Sequence, residues 1–243
     1  MAPAQAAGAR LARRLVEELG GRYSRALGVE VDRDGDEVER WALAATLFGN
    51  RIPGVVAERA FRVLTEAGVT TLAAAGGRTW DELVELLDRA GYVRYDFRTA
   101  TRLQALARVI RDEHGGRLSS LGQAVRDPAE LEDRLDALPG WGPVTVRLFL
   151  RELRGLWPGA EPPLDERALG AAEHLGLLEP RPGSDPLASL RRLAAEAGID
   201  VRDLEAALVR LALAHGRRKG SCPGGAGCHV LERTPGRAGP PGG

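Results

Sequence analysis

The sequence predicts an all-α protein, and three observations indicate this fold class. Apolar residues recur at helical spacing in most segments of the 243-residue chain, for example between Leu103 and Ile110. Residues typical of helix starts and helix stops flank these segments. No stretch alternates apolar and polar residues over the length of a β-strand. A chain of this length can bury one large core or two modest ones.

The predicted helices follow one another along the chain. An apolar stripe over residues 56–64 marks an early helix, and the helix that contains Leu103 is expected to stop at Gly115. Asp127 is expected to cap the next helix, because Pro128 follows it at the first helical position.

Later helices are predicted from the same signals. One begins at Pro143, and two more begin after Asp185 and after Asp200, the last of which ends at Gly216. We expect two helical lobes with a DNA-binding cleft between them. Residues 36–158 would form the first, and 1–35 together with 159–216 the second. The Gly- and Pro-rich tail, 217–243, is expected to be disordered.

The charges are balanced, with 34 Lys and Arg residues against 34 Asp and Glu residues. No field of the whole molecule attracts nucleic acid or membrane, so such binding requires a local patch. Two cysteines are too few for a disulfide framework, and no apolar stretch is long enough to cross a membrane. We therefore expect a cytoplasmic monomer without a membrane partner. Lys219 is the single lysine.

The most informative segment is 138–146, with the sequence LPGWGPVTV. One amphipathic helix ends at Leu138, the next begins at Pro143, and the turn between them holds Gly140 and Gly142. Glycine permits positive φ and close backbone approach, and the following helix N-terminus offers unpaired N–H groups to a phosphate. Such a turn can grip a DNA backbone without reading bases. The alternative is a packing corner that binds nothing.

The LPGxG pattern between two amphipathic helices is the helix-hairpin-helix signature, and it resembles that of the DNA glycosylases of the endonuclease III superfamily. The resemblance covers about residues 37–216. The segment 163–169 resembles the family's loop and aspartate that open the helix after the hairpin. Segment 45–51 resembles its early helix and polar residue, and 87–98 resembles its Gly-x-Tyr segment.

The resemblance implies that the chain binds double-stranded DNA, at the bacterial nucleoid, and excises a flipped base. Asp165 would be the catalytic carboxylate that stabilises the developing oxocarbenium sugar. Asn50 would fill the space that the flipped base leaves. The residues implied for DNA contact are Gly140, Trp141, Gly142, Val144, Thr145, Asn50 and Arg51, and those for the lesion pocket are Phe48, Tyr92 and Tyr95.

Most of these residues also have a purely structural explanation. Asp165 could act only as the N-cap of its helix, and Asn50 could simply end one. Trp141, Tyr92 and Tyr95 could pack in the core instead of contacting DNA or a base. The residues alone leave these alternatives open.

Val144 occupies the position where bifunctional members of the family carry a lysine. Valine cannot form a Schiff base, so we expect a monofunctional glycosylase. Segments 50–51 and 95–98 resemble those of the thymine/uracil mismatch glycosylases, and this resemblance implies thymine or uracil opposite guanine as the substrate. The alternatives are a DNA-binding protein that has lost catalysis and a lyase that uses another amine, such as the N-terminus.

The resemblance also raises the question of an iron-sulfur cluster. Many relatives hold a [4Fe–4S] cluster with four cysteines, whereas only Cys222 and Cys228 are present here. A zinc site formed by these two with His215 and His229 satisfies the ligand count. The intervening Pro-Gly-Gly-Ala-Gly segment offers no evident scaffold, so we expect no cofactor and no metal.

Overall fold

All regular secondary structure in the computed structural model is helical within the residues that it describes, 3–178 and 183–232; for residues 3, 4 and 217–219 only the backbone is described. The predicted all-α class is therefore confirmed. Within the same ranges, an isolated bridge between Arg154 and Trp157 belongs to no strand. No described helix is both long enough and apolar enough to span a bilayer.

The helices vary in length from one turn to five. In chain order they are α1 (Pro3–Leu19), α2 (Tyr23–Ala26), α3 (Gly35–Phe48), α4 (Gly54–Glu66), α5 (Leu72–Ala75), α6 (Trp80–Arg89), α7 (Asp96–Glu113), α8 (Ser119–Ala124), α9 (Pro128–Asp136), α10 (Pro143–Arg151), α11 (Glu166–His174), α12 (Pro186–Ala197), α13 (Val201–His215) and α14 (His229–Glu232), with 3₁₀ helices η1 (Gly216–Ser221) and η2 (Gly225–Gly227).

The chain divides into two compact units. Leu27–Pro162 form the hairpin unit, which contains α3 to α10, and Met1–Ala26 with Pro163–Gly243 form the terminal unit. The sequence-based boundaries of the first lobe, 36–158, lie inside the hairpin unit at both ends.

Helix α3 is the centre of the hairpin unit. The side chains of Trp41, Leu43 and Leu47 are fully buried on it. The indole N–H of Trp41 donates to the carbonyl of Phe149, in α10, at 3.2 Å. Buried polar groups must be paired, so this hydrogen bond fixes how α10 lies on α3.

The local signals in the sequence place the starts of two helices of this unit correctly. Asp127 accepts the N–H of Glu130 at 2.8 Å, and Pro128 is the first residue of α9, as predicted. Helix α10 begins at Pro143. Helix α7 begins at Asp96, about two turns before the predicted stripe, and the stripe residues Leu103, Leu106, Ala107 and Ile110 are all buried.

In the terminal unit, α13 packs against α1, α11 and α12. Asp200 caps α13 by accepting the N–H of Arg202 at 2.8 Å, as the sequence predicts. Asp203 accepts the backbone N–H of the fully buried Arg22 at 2.8 Å. Its carboxylate also lies 3.4 Å from the Arg22 side chain, which pairs the buried guanidinium with an acid.

The prediction of a disordered tail is wrong for residues 217–232. This segment forms η1, η2 and α14, and Cys228 and Leu231 are fully buried in the core of the terminal unit. Composition is misleading here because glycine permits tight turns as well as disorder, and two apolar side chains suffice to anchor them. The rest of the predicted tail, 233–243, lies outside the described residues.

Candidate functional site

The hairpin turn is anchored by Trp141. Its indole N–H donates to Thr46 Oγ1, in α3, at 2.9 Å, and its ring meets Phe149 edge-on with centroids 5.1 Å apart. Only 6% of Trp141 is exposed. The packing alternative therefore describes its side chain, and its predicted contact with DNA stays a prediction.

The two glycines of the turn serve different purposes. Gly140 has φ +78°, and a Cβ placed there would lie 2.6 Å from Arg102 Cδ, so the fold itself requires glycine. Gly142 has an extended φ of −150°. A Cβ on Gly142 would meet no atom within 4 Å. Packing and backbone conformation would therefore both accept a side chain at position 142.

Gly142 is the N-cap residue of α10, and no side chain caps this helix. The first residue, Pro143, has no N–H, and the N–H of Val146 donates to the Gly142 carbonyl at 3.0 Å. The N–H groups of Val144 and Thr145 precede that bond at the positive end of the helix dipole. Val144 is 68% exposed. This end of α10 therefore suits an anion.

An open pocket of about 400 Å³ lies at this helix start. It is lined by Gly49, Asn50, Arg51, Tyr95, Arg98, Arg102, Gly140, Trp141, Gly142, Pro143, Val144 and Thr145. Three arginines and no acidic residue are in this lining, although the chain as a whole is neutral. The lining of this pocket is therefore locally positive.

Asn50 is held at the edge of the pocket by three hydrogen bonds. Its Oδ1 accepts from Arg102 Nη1 at 2.8 Å, and its Nδ2 donates to the Tyr92 hydroxyl at 2.9 Å and to the Thr46 carbonyl at 3.2 Å. The bond to Thr46 satisfies a carbonyl of the last turn of α3, which is the helix-ending role. The role as a wedge stays a prediction.

Arg98 and Arg102 crowd two cations into this site. Burial and the neighbouring Arg98 lower the pKa of the Arg102 guanidinium. A bound anion would relieve both effects, because it would replace lost hydration and offset the repulsion.

Of the three residues predicted for a lesion pocket, only Tyr95 lines this one. Tyr92 is fully buried, its hydroxyl donates to the Leu47 carbonyl at 2.7 Å, and burial raises its pKa to about 12. Phe48 is half-buried and outside the lining. The buried Tyr92 therefore helps to position Asn50 by accepting a hydrogen bond from its amide, and its ring does not line the pocket.

Thr145 joins the start of α10 to the end of α3. Its side chain is buried, and a Cβ placed on Gly49 would collide with its hydroxyl. Arg51, two residues after Gly49, is exposed and lines the pocket. Thr145 thus contributes its backbone to the helix start, while its side chain packs.

Asp165 belongs to the terminal unit and is the N-cap of α11. Its Oδ1 accepts the N–H of Arg167 at 2.8 Å, and its own N–H donates to the buried Glu205 at 3.3 Å. The capping alternative therefore describes its geometry. Because one carboxylate oxygen suffices for the cap, the geometry is also compatible with the predicted catalytic role.

The terminal unit also contains a cluster of potential metal ligands, which we call the His/Cys cluster. It consists of His174, His215, Cys222 and Cys228, whose ligand atoms all lie within 4.8 Å of one another. His174 replaces the His229 of the sequence-based ligand set. Two thiols and two imidazoles do not fit a [4Fe–4S] cluster with four cysteines.

Sequence reasoning missed Arg102 and His174. Arg98 and Arg102 are spaced i, i+4 on α7, so their convergence on one face was available from the pattern. His174 lies 41 positions or more before the other members of its cluster, and no local pattern connects them. No family model matches the chain, and no curated protein shows significant sequence similarity to it.

Proposed function

We propose that the chain is a DNA glycosylase that grips duplex DNA through the hairpin turn and hydrolyses the N-glycosidic bond of a damaged or mismatched base. The observation that supports it most is the uncapped start of α10 beside three arginines with no acid in the pocket. Backbone N–H groups and guanidinium groups are the donors that bind a phosphodiester backbone.

The bare backbone at Gly142 adds to this argument. Serine or aspartate would cap α10 better than glycine, and the open space would admit either side chain. Neither packing nor helix capping within the protein explains why position 142 is a glycine. Close approach of an external phosphate supplies the reason.

Asp165 supplies the negative charge that the reaction needs. Cleavage of an N-glycosidic bond develops positive charge on the sugar, and a fixed carboxylate stabilises that charge. The cap bond to Arg167 and the bond from its N–H to Glu205 fix the position of this carboxylate. Val144, at the position of the lyase lysine in the related family, favours hydrolysis without strand cleavage.

DNA binding is tested by the salt dependence of affinity for a fluorescent duplex. Arg98→Gln should reduce the salt slope by about 1, since one phosphate contact is lost. Arg108→Gln is the matched control, because Arg108 is exposed on the same helix α7 and lies outside the pocket lining. Equal slopes for both variants would contradict the proposed interface.

Base release is tested on labelled duplexes that contain G·T, G·U, hypoxanthine, thymine glycol, adenine opposite 8-oxoguanine and alkylated bases. Strand breaks should appear only after hot alkali. Asp165→Asn should lower the rate by about 10²–10³-fold, because it removes the charge but keeps a good cap. Asp185→Asn is the matched control, since Asp185 caps α12 in the same way.

A second candidate is a DNA-binding protein without base release. The N-cap geometry of Asp165 favours it, because capping alone accounts for an aspartate at that position. The same assays separate the two functions. Binding that depends on Arg98, with no base released from any duplex, would support the second candidate. Breaks without alkali, with a borohydride-trapped adduct on abasic DNA, would indicate a lyase.

A further inference from the structure

We propose that the His/Cys cluster of the terminal unit binds a single zinc ion through His174, His215, Cys222 and Cys228. The four candidate ligand atoms lie within 4.8 Å of one another. In tetrahedral zinc sites, bonds of about 2.0–2.3 Å place neighbouring ligand atoms about 3.3–3.8 Å apart. Small side-chain adjustments therefore complete the coordination.

The imidazole of His215 is already oriented as a metal ligand. Its Nδ1 lies 3.2 Å from the Leu211 carbonyl, which can only accept, so Nδ1 carries the proton in this bond. The lone pair of Nε2 then faces Cys228 Sγ at 3.3 Å. A backbone carbonyl that fixes the tautomer of a metal-binding histidine is a recurrent feature of zinc sites.

His174 supplies an independent indication of a ligand. Its Nε2 is buried and has no hydrogen-bond partner among the described residues, and its ring meets that of His215 edge-on with centroids 4.7 Å apart. A buried imidazole nitrogen without a partner is costly. A metal ion at the cluster would satisfy it.

Two helices end at the cluster. His174 is the last residue of α11, and His215 is the last residue of α13, which packs against α11. The negative ends of both helix dipoles therefore favour a cation at this point. The backbone thus provides part of the electrostatic stabilisation before any ligand binds.

The cysteine loop is shaped to reach this point. Gly224 has φ +76°, and a Cβ there would collide with the His174 carbonyl, so this glycine brings the loop against the end of α11. Cys222 Sγ accepts the N–H of His229 at 3.2 Å. The Gly-rich spacing that offered no scaffold in the sequence is what allows the two cysteines to converge.

The arrangement favours one ion over an iron-sulfur centre. A Rieske-type [2Fe–2S] centre also uses two cysteines and two histidines, but each pair binds a different iron, which separates sulfur from nitrogen. The distance of 3.3 Å between Cys228 Sγ and His215 Nε2 is that of ligands on the same ion. Thiolate with imidazole in tetrahedral array is the zinc ligand set.

The test measures metal in the full-length protein, purified without chelators and reconstituted with zinc. We expect one zinc per chain, thiolate-to-metal charge-transfer bands after cobalt exchange, and protection of both thiols against a thiol reagent until a chelator is added. His174→Asn and Cys228→Ser should weaken zinc binding about tenfold or more. His229→Asn should not, because the His229 side chain is exposed and outside the cluster.

Three outcomes would overturn the proposal. One is a wild-type protein that binds no zinc on reconstitution and whose thiols react equally with and without it. Another is iron with acid-labile sulfide in place of zinc. The third is equal loss of zinc in His229→Asn and His174→Asn. The thiol measurement uses the wild-type chain, so it decides the question even if a variant fails to fold.

Discussion

The pocket at α10 and the His/Cys cluster differ in how their polar groups are exposed and arranged. The pocket is open, its charges are guanidinium groups, and its backbone at Gly142 is bare. In the cluster, His215 and Cys228 are buried and His174 and Cys222 are half-buried, the ligand atoms converge, and the buried Nε2 of His174 has no hydrogen-bond partner among the described residues. Open cationic surfaces suit large anions, whereas converging soft ligands suit a small cation. The two regions therefore differ in how their polar groups are arranged: those of the pocket face solvent, whereas those of the cluster converge on one point.

Removal of zinc should give the largest effect on stability. At free zinc about a thousandfold above Kd, binding stabilises the folded state by about 4 kcal/mol. Urea unfolding of the wild type with zinc and with chelator should show this difference, and Cys228→Ser should show a smaller one, about 2.7 kcal/mol for tenfold weaker binding at the same free zinc. Identical unfolding curves for the wild type with zinc and with chelator would contradict zinc binding at the His/Cys cluster.

Gly140→Ala should be the most destabilising change in the hairpin turn. A left-handed φ costs a non-glycine residue about 1–2 kcal/mol, and displacement of Arg102 adds a similar cost, for about 2–4 kcal/mol in all. Thermal and urea unfolding measure it. A stable Gly140→Ala variant would mean that the frame of the pocket is not set by contacts within the protein.

The buried phenol of Tyr92 should make stability fall at alkaline pH. Its pKa is raised from 10.0 to about 12 by burial, so the folded state holds the proton more tightly than the unfolded state. Its contribution is complete below about pH 10 and is lost as the pH rises to about 12, for about 2–3 kcal/mol. Urea titrations across this range test it. Tyr92→Phe should flatten the profile, and an unchanged profile would contradict it.

Gly142→Ala should leave the fold intact and weaken DNA binding. The extended φ and the empty space around its Cβ predict unchanged or slightly higher stability. We expect about tenfold weaker binding, or about 1.4 kcal/mol, because the methyl group keeps a phosphate from the backbone. Anisotropy and thermal unfolding together separate this variant from Gly140→Ala. An unchanged affinity of Gly142→Ala for duplex DNA would contradict DNA binding at the pocket beside α10.

The sequence was sufficient for features whose signals are local. Asp127, Asp185 and Asp200 each cap the helix that was predicted from them, and the turn at Gly140 lies between the predicted helices. Each of these depends on residues within a few positions of one another, so hydrogen bonding and φ preferences decide them.

The sequence was insufficient where distant segments meet. Tyr92 was a candidate for a pocket wall, and its burial beneath Asn50 follows from the packing of α3 against neighbouring segments. His174 reaches Cys222 only because α11 lies on α13 and Gly224 turns the loop back. Composition alone gave the opposite expectation for this loop, because it counts glycines without knowing what they approach.

Thr46 is a mechanical joint between the turn and Asn50. Its hydroxyl accepts from Trp141, and its carbonyl accepts from Asn50, one turn further along the chain. Trp141 of the turn and Asn50 are therefore both positioned by hydrogen bonds to the same buried residue of α3. The turn and Asn50 thus share one support in α3, and a substitution at Thr46 is expected to displace both.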